Sequence, residues 1–167
     1  NPGNAKPLPE AIEAIEKADA IFLGPGSLFT SVLPNLLVEG IVLAIKASSA
    51  VKLYICNVMT QPGETDGFSA SRHVRAILDH VGEGVMDCIL VNIKRPPEEL
   101  VERYRKEGAF PVVPDIERIE ALGLNVFEGD LISETEFVRH DPEKLARALV
   151  EIISRLRPGE LQRGREL

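Results

Sequence analysis

The chain has no surplus of positive charge: 19 Lys and Arg face 26 Asp and Glu, a net charge of −7. Proteins whose main partner is a nucleic-acid backbone present basic patches, so that class is set aside. A small anionic ligand is still admissible, because backbone amides and one or two arginines can hold a diphosphate locally. Cysteine is scarce too. Cys56 and Cys88 form no Cys-x-x-Cys pair, and each lies at or near the end of an apolar run. Both read as small buried hydrophobes in a reducing cytosol. No run of about 18 apolar residues and no export signal is present, which points to a cytoplasmic protein with no membrane span. There is no internal repeat, no low-complexity segment and no initiator methionine. The chain opens Asn1-Pro2-Gly3, as a trimmed product or part of a longer protein would.

What is present is an ordinary globular composition, 44% hydrophobic and 27% charged over 167 residues, one domain's worth of chain. Apolar, β-rich runs fall at 20–23, 51–56, 87–91, 110–113 and 124–127. Helical patterns separate them at about 8–18, 38–48, 70–81, 97–107 and 115–122, with a long last helix at 142–156. The runs are nearly continuous in apolar residues, as in Cys88-Ile89-Leu90-Val91, rather than alternating. Continuous strands joined by crossover helices predict a mainly parallel sheet covered on both faces, an α/β, Rossmann-like three-layer fold. Asp141 suits the N-cap of the last helix and Pro142 its first position. Leu145, Leu149, Ile152, Ile153 and Leu156 make one apolar stripe along it. Pro158-Gly159 ends that helix, and 158–167 reads as a flexible tail after a domain of 1–157.

Ligands in such sheets bind outside the carboxyl ends of the strands. The first strand feeds Gly24-Pro25-Gly26-Ser27-Leu28-Phe29-Thr30-Ser31, a Gly-rich turn opening a helix. Glycines there permit positive φ and close backbone approach, and the first helical N–H groups suit an anion. Ser27, Thr30 and Ser31 add hydroxyls. The turn is neither a Walker A loop nor a Gly-x-Gly-x-x-Gly fingerprint, and a plain capped turn fits it equally well. The second strand feeds a polar loop of about eleven residues, Asn57 to Gly67, longer than the usual βα connection. Its amide, hydroxyl and carboxylate groups suit a sugar or a base edge. The third feeds the small cationic turn Asn92-Ile93-Lys94-Arg95-Pro96. All three are expected on one rim.

Gly24-Pro25-Gly26-Ser27-Leu28-Phe29-Thr30-Ser31-Val32-Leu33-Pro34-Asn35-Leu36-Leu37 and Cys56-Asn57-Val58-Met59-Thr60-Gln61-Pro62-Gly63-Glu64-Thr65-Asp66-Gly67-Phe68 resemble the two signatures of a known family. It is the YvcK-type gluconeogenesis-factor branch of the CofD-like, 2-phospho-L-lactate transferase-like proteins. Val138-Arg139-His140-Asp141 resembles that branch as well. The Gly-Gly-Gly-Thr-Gly turn that opens the family's fold is lacking, so the resemblance implies the C-terminal half of a protein about twice as long. The missing N-terminal half would complete the sheet and the other wall of the site.

The resemblance implies a nucleotide-binding fold whose ligand is a UDP-sugar, notably UDP-N-acetylglucosamine. It also implies a regulatory role coupling gluconeogenic growth to cell-wall synthesis and cell shape. By position, Gly24, Pro25, Gly26, Ser27 and Thr30 would hold phosphates. Asn57, Met59, Thr60, Gln61, Gly63, Glu64 and Thr65 would line the cleft. Tyr104 matches a tyrosine suited to the uracil ring, and Arg139 an arginine near the diphosphate. Pro142 stands where the family can carry a phosphorylatable Thr, which excludes that control here. The CofD branch implies the alternative, a transferase moving a phosphoryl-linked group from a nucleotide-diphosphate donor. A homo-oligomer is expected.

Plainer roles stand beside these. Tyr104 lies with Leu100 and Val101 on the apolar side of its helix, as a core tyrosine would. Arg139 also fits a surface charge. Glu64 and Asp66 could meet Mg²⁺ through a diphosphate, although carboxylates in loops commonly form turns. His73 and His80, seven apart, read as helix-surface histidines with no third metal ligand nearby, and His140 as structural.

Overall fold

The computed structural model describes residues 5–133 and 137–157, so the expected tail at 158–167 lies outside the described residues. The chain runs through α1 (Pro9–Glu16), β1 (Ala20–Leu23) and a π-helical turn (Leu28–Val32) that continues into α2 (Leu33–Leu36). Then follow α3 (Glu39–Ala47), β2 (Val51–Ile55), α4 (Ala70–Val81), β3 (Cys88–Asn92), α5 (Glu98–Lys106), α6 (Ile116–Glu120), β4 (Asn125–Gly129) and α7 (Pro142–Leu156). All three strand pairings are parallel and the order is β1-β2-β3-β4. The expected α/β fold with a parallel sheet between helices is what forms.

The continuous apolar runs have a physical reason. Successive side chains of a strand point to opposite faces, and here both faces are covered. Tyr54, Cys56, Ile89 and Val91 pack on one side with residues of α2, α3, α4 and α6. Leu53, Ile55, Cys88 and Leu90 pack on the other with Leu131 and Ile152, where α7 lies. Leu53, Tyr54 and Ile89 have no solvent exposure, and full burial of such side chains contributes roughly 1.5–3 kcal/mol each. Asp141 caps α7 by accepting the N–H groups of Glu143 and Lys144, both at 3.0 Å. The stripe on α7 stops short: Ile152 and Ile153 are buried, but Leu156 is 40% exposed.

One predicted strand does not form. Residues 110–113 make only an isolated antiparallel bridge, Met59 with Pro111. Pro111 has no N–H to give a ladder, and Pro114 follows three residues later. The segment instead braces the loop after β2. Among the described residues no single helix is long and apolar enough to cross a membrane.

Candidate functional site

Parallel strands put every carboxyl end on one rim, and with it the three predicted loops. The turn after β1 starts at Gly24, where φ is +86°. A Cβ at Gly24 would stand 3.2 Å from the Ile55 carbonyl oxygen, so the turn hugs β2. Gly26 is different. Its φ is not positive, and a Cβ there would meet Ser31 Cβ at 3.2 Å. The requirement for a left-handed glycine therefore falls on Gly24. Pro25 is exposed, and the Gly24–Pro25 peptide is cis. Ser27 caps the helical turn, its Oγ accepting the Thr30 N–H at 3.3 Å and lying 2.5 Å from Thr30 Oγ1. The Ser27 hydroxyl also reaches both carboxylate oxygens of Glu64 at 2.7 Å. Glu64 thus ties the loop after β2 to the turn after β1.

The loop itself is closely held. Thr60 donates its N–H to the Phe110 carbonyl (2.7 Å), and Thr60 Oγ1 accepts the Phe110 N–H (2.9 Å). Val112 N–H meets the Val58 carbonyl at 3.0 Å. Thr65, fully buried, accepts the Gln61 N–H on Oγ1 at 2.9 Å and returns its own N–H to the Gln61 carbonyl. Gly63 (φ +76°) donates to Asp66 Oδ2 at 2.8 Å. Met59 and Thr60 are buried at 8% and 3% exposure. Met59, Thr60 and Thr65 are therefore framework, with Gln61, Gly63 and Glu64 carried on it.

Glu64 and Asp66 are turned to different partners, Ser27 and Gly63. Among the described residues no three His, Cys, Asp or Glu side chains gather as a metal site. The described residues give Mg²⁺ no preformed protein cage.

Three polar atoms near the carboxyl end of β2 are buried without a partner: Asn57 Oδ1, Gln61 Oε1 and His140 Nε2. His140 hydrogen-bonds the backbone of Cys56, and burial pulls its pKa below the usual histidine value. A neutral ring with one nitrogen engaged leaves Nε2 buried without a partner among the described residues. His140 lies between the exposed Arg139 and the helix cap Asp141. An unsatisfied buried polar group costs roughly 1–3 kcal/mol, a cost that these three atoms carry at one end of β2.

Tyr104 and Arg139 sit further along the rim. Tyr104 is half-buried in a small cluster with Val58, Met59 and Val138, and its hydroxyl oxygen accepts the Val138 N–H at 3.2 Å. That is a framework contact, and it fixes the segment carrying Arg139. Arg139 is exposed, its carbonyl accepting the Ser133 N–H at 2.9 Å. Asn92 is spent on the backbone, accepting from Leu131 N–H (3.1 Å) and donating to the Lys94 carbonyl (2.7 Å). Arg95 pairs with Glu98 at 2.9 Å.

One expectation changes. His73 is fully buried rather than on the surface, with Nδ1 2.9 Å from the Ser69 carbonyl and its ring 5.4 Å from that of Phe68. His80 is exposed as expected. Both cysteines are free and buried, and burial pushes each thiol up to about 12. Neither supplies a thiolate nucleophile at neutral pH.

Comparison with known proteins agrees with this fold. The family profile described as "2-phospho-L-lactate transferase CofD" matches residues 1–132. A gluconeogenesis factor of Halalkalibacterium halodurans is 51% identical over 151 residues, covering 90% of this chain and 47% of that protein. One from Bacillus subtilis is 46% identical over 153 residues, covering 91% and 48%. A crystal structure of a member of the UPF0052 family from Bacillus halodurans superposes with a TM-score of 0.87 at 50% identity, over 90% of this chain and 49% of that one. The chain spans about half the length of the curated relatives it matches.

Proposed function

The chain belongs to the CofD family, on its gluconeogenesis-factor branch, and from that premise we propose that it forms part of a UDP-sugar-binding regulator acting between carbon metabolism and cell-wall synthesis. The observation that carries the reading is the trio of buried, unpartnered atoms Asn57 Oδ1, Gln61 Oε1 and His140 Nε2 around the end of β2. An apolar ligand would leave them unsatisfied. A nucleotide sugar, with its amide, hydroxyl and imide groups, can answer each. Ser27 and Thr30 lie at the adjoining turn and suit the diphosphate. Arg139 is exposed and free to meet the diphosphate charge from the far end of the rim.

The site is one wall of a crevice. Open α/β sheets bind ligands where the strand order reverses, and β1-β2-β3-β4 never reverses. The reversal belongs at the free edge of β1, beside the Gly24–Ser31 turn. Phe22 is 42% exposed there, and an apolar groove of about 390 Å³ lies between β1 and the segment carrying Asn35, Leu36 and Ile41. We assign that edge to the polypeptide that the double-length relatives carry beyond the matched half.

The second reading is a transferase using a nucleotide-diphosphate donor, which the name of the matching family profile favours. Glu64 would be its base, and it is engaged by Ser27. Calorimetric titration of the full-length protein with UDP-N-acetylglucosamine, with and without Mg²⁺, followed by phosphorus NMR of the same mixture, separates the two. Saturable binding with an unchanged spectrum supports the regulator. New phosphorus signals support the transferase, and no binding removes both.

A further inference from the structure

A second charged feature lies on the outer face of α4 and α6. An open groove of about 350 Å³ is lined by Ser71, Arg72, Arg75, Arg118, Ala121 and Leu122. All three arginines are exposed, and none has a carboxylate partner among the described residues. The contrast within the same chain is sharp: Arg95, Arg105, Arg147, Arg155 and Arg157 each meet an Asp or Glu. In a chain of net charge −7, three guanidinium groups around one groove without a carboxylate partner are not an effect of composition.

Their placement is built from beneath. Asp115, at the start of α6, accepts the Ser71 N–H at 2.9 Å and the Ser71 hydroxyl at 2.6 Å. Those bonds hold its carboxyl below the usual range despite partial burial. They fasten α6 to the first turn of α4 and set Arg118 across from Arg72 and Arg75, which stand three residues apart on one helix face. The Asp115 carboxylate is thereby committed to Ser71. Arg72 lies over the Phe68 ring, 4.6 Å from its centroid, and donates to the Gly67 carbonyl at 3.3 Å.

The occupant must bring negative charge from outside. A small metabolite is disfavoured, because this groove is open along its length and small-ligand sites enclose most of their ligand. A nucleic-acid backbone needs a longer track of cations than three on an acidic chain. Carboxylates on a protein segment fit: Arg forks bind them in pairs, and Ala121 and Leu122 offer an apolar floor for a side chain between. We propose that this groove is a docking surface for an acidic segment of a partner protein. The inference is independent of the ligand at the rim.

The test measures fluorescence anisotropy of a fluorescein-labelled peptide of alternating Glu and Leu, titrated with the full-length protein at several salt concentrations. Saturable binding that weakens steeply with salt is expected. Arg75→Glu with Arg118→Glu should lower affinity by at least about tenfold, and the milder Arg75→Gln with Arg118→Gln pair by less. Arg147→Glu with Arg155→Glu, on α7, should leave it within about twofold. Unchanged circular dichroism checks that each variant folds. Equal loss in the α7 control, no peptide binding, or saturable binding of inorganic pyrophosphate in place of the peptide overturns the proposal. So does a homodimer that dissolves on Arg75 and Arg118 reversal, since the occupant is then a second copy.

Discussion

The two rim segments of the site are held in opposite ways. The eleven-residue loop after β2 is braced from within: Thr60, Thr65 and Asp66 each close a hydrogen bond inside it or to the 110–112 segment. The shorter turn after β1 has its own Ser27 cap and otherwise leans on Glu64, reached from the neighbouring loop. Length is thus a poor guide to rigidity. The long loop is scaffold, and the short turn depends on it.

The largest expected effect tests where that dependence is tightest. Gly24→Val should lower stability by about 2–3 kcal/mol, because φ is +86° and the new Cβ would press on the Ile55 carbonyl. Gly63→Val, at φ +76° but with open space around it, should cost only the backbone strain, about 1–2 kcal/mol. Chemical denaturation measures both, and a larger loss at Gly63 would reverse the comparison. Next comes the scaffold's own bond. Thr65→Val keeps the shape and leaves the Gln61 N–H unpaired, a loss of about 2 kcal/mol, with faster amide exchange at Gln61.

Glu64→Gln should act on the turn alone. Amide exchange at Thr30 should quicken while Gln61 and Thr65 stay protected, for under about 1 kcal/mol of stability. Equal loosening of both segments would mean that the loop leans on the turn. The smallest effect is the response to acid. Burial holds His73 and His140 below the usual histidine pKa, so the unfolded chain binds protons that the folded one refuses. Stability should therefore fall as pH drops below about 6.5, and His73→Asn should flatten that fall in melting curves at pH 7 and pH 5. Asp115 and Asp130, both lowered, contribute only below about pH 4.

The comparison also explains what could be read in advance. β2 and β3 were legible because strands covered on both faces are apolar at nearly every position, and runs this short and rich in Val and Ile fit strands better than helices. The rim loops followed from parallel order alone. Residues 110–113 looked like a strand by composition, but proline withholds the N–H that a ladder needs. His73 and His80 share a helical face, yet seven residues are about 10.5 Å of helix. The first lies under Phe68 and the second beyond the core, a difference in position along the axis that periodicity does not report. Gly24 and Gly26 are indistinguishable in composition; only the approach of β2 decides which must be left-handed. The unpartnered atoms of Asn57, Gln61 and His140 are a property of packing and have no trace in sequence.

The unbroken strand order has a kinetic meaning as well. The register sets Ala20 beside Val51, Leu53 beside Cys88 and Cys88 beside Asn125, so each pairing closes a loop of roughly 31 to 37 residues. Closure entropy grows only as the logarithm of loop length, and the three differ by about 0.2 kcal/mol. No pairing has a head start from chain length. The β2–β3 pair, the most deeply buried of the three, should nucleate, and β1 and β4 should add to its two sides as equals.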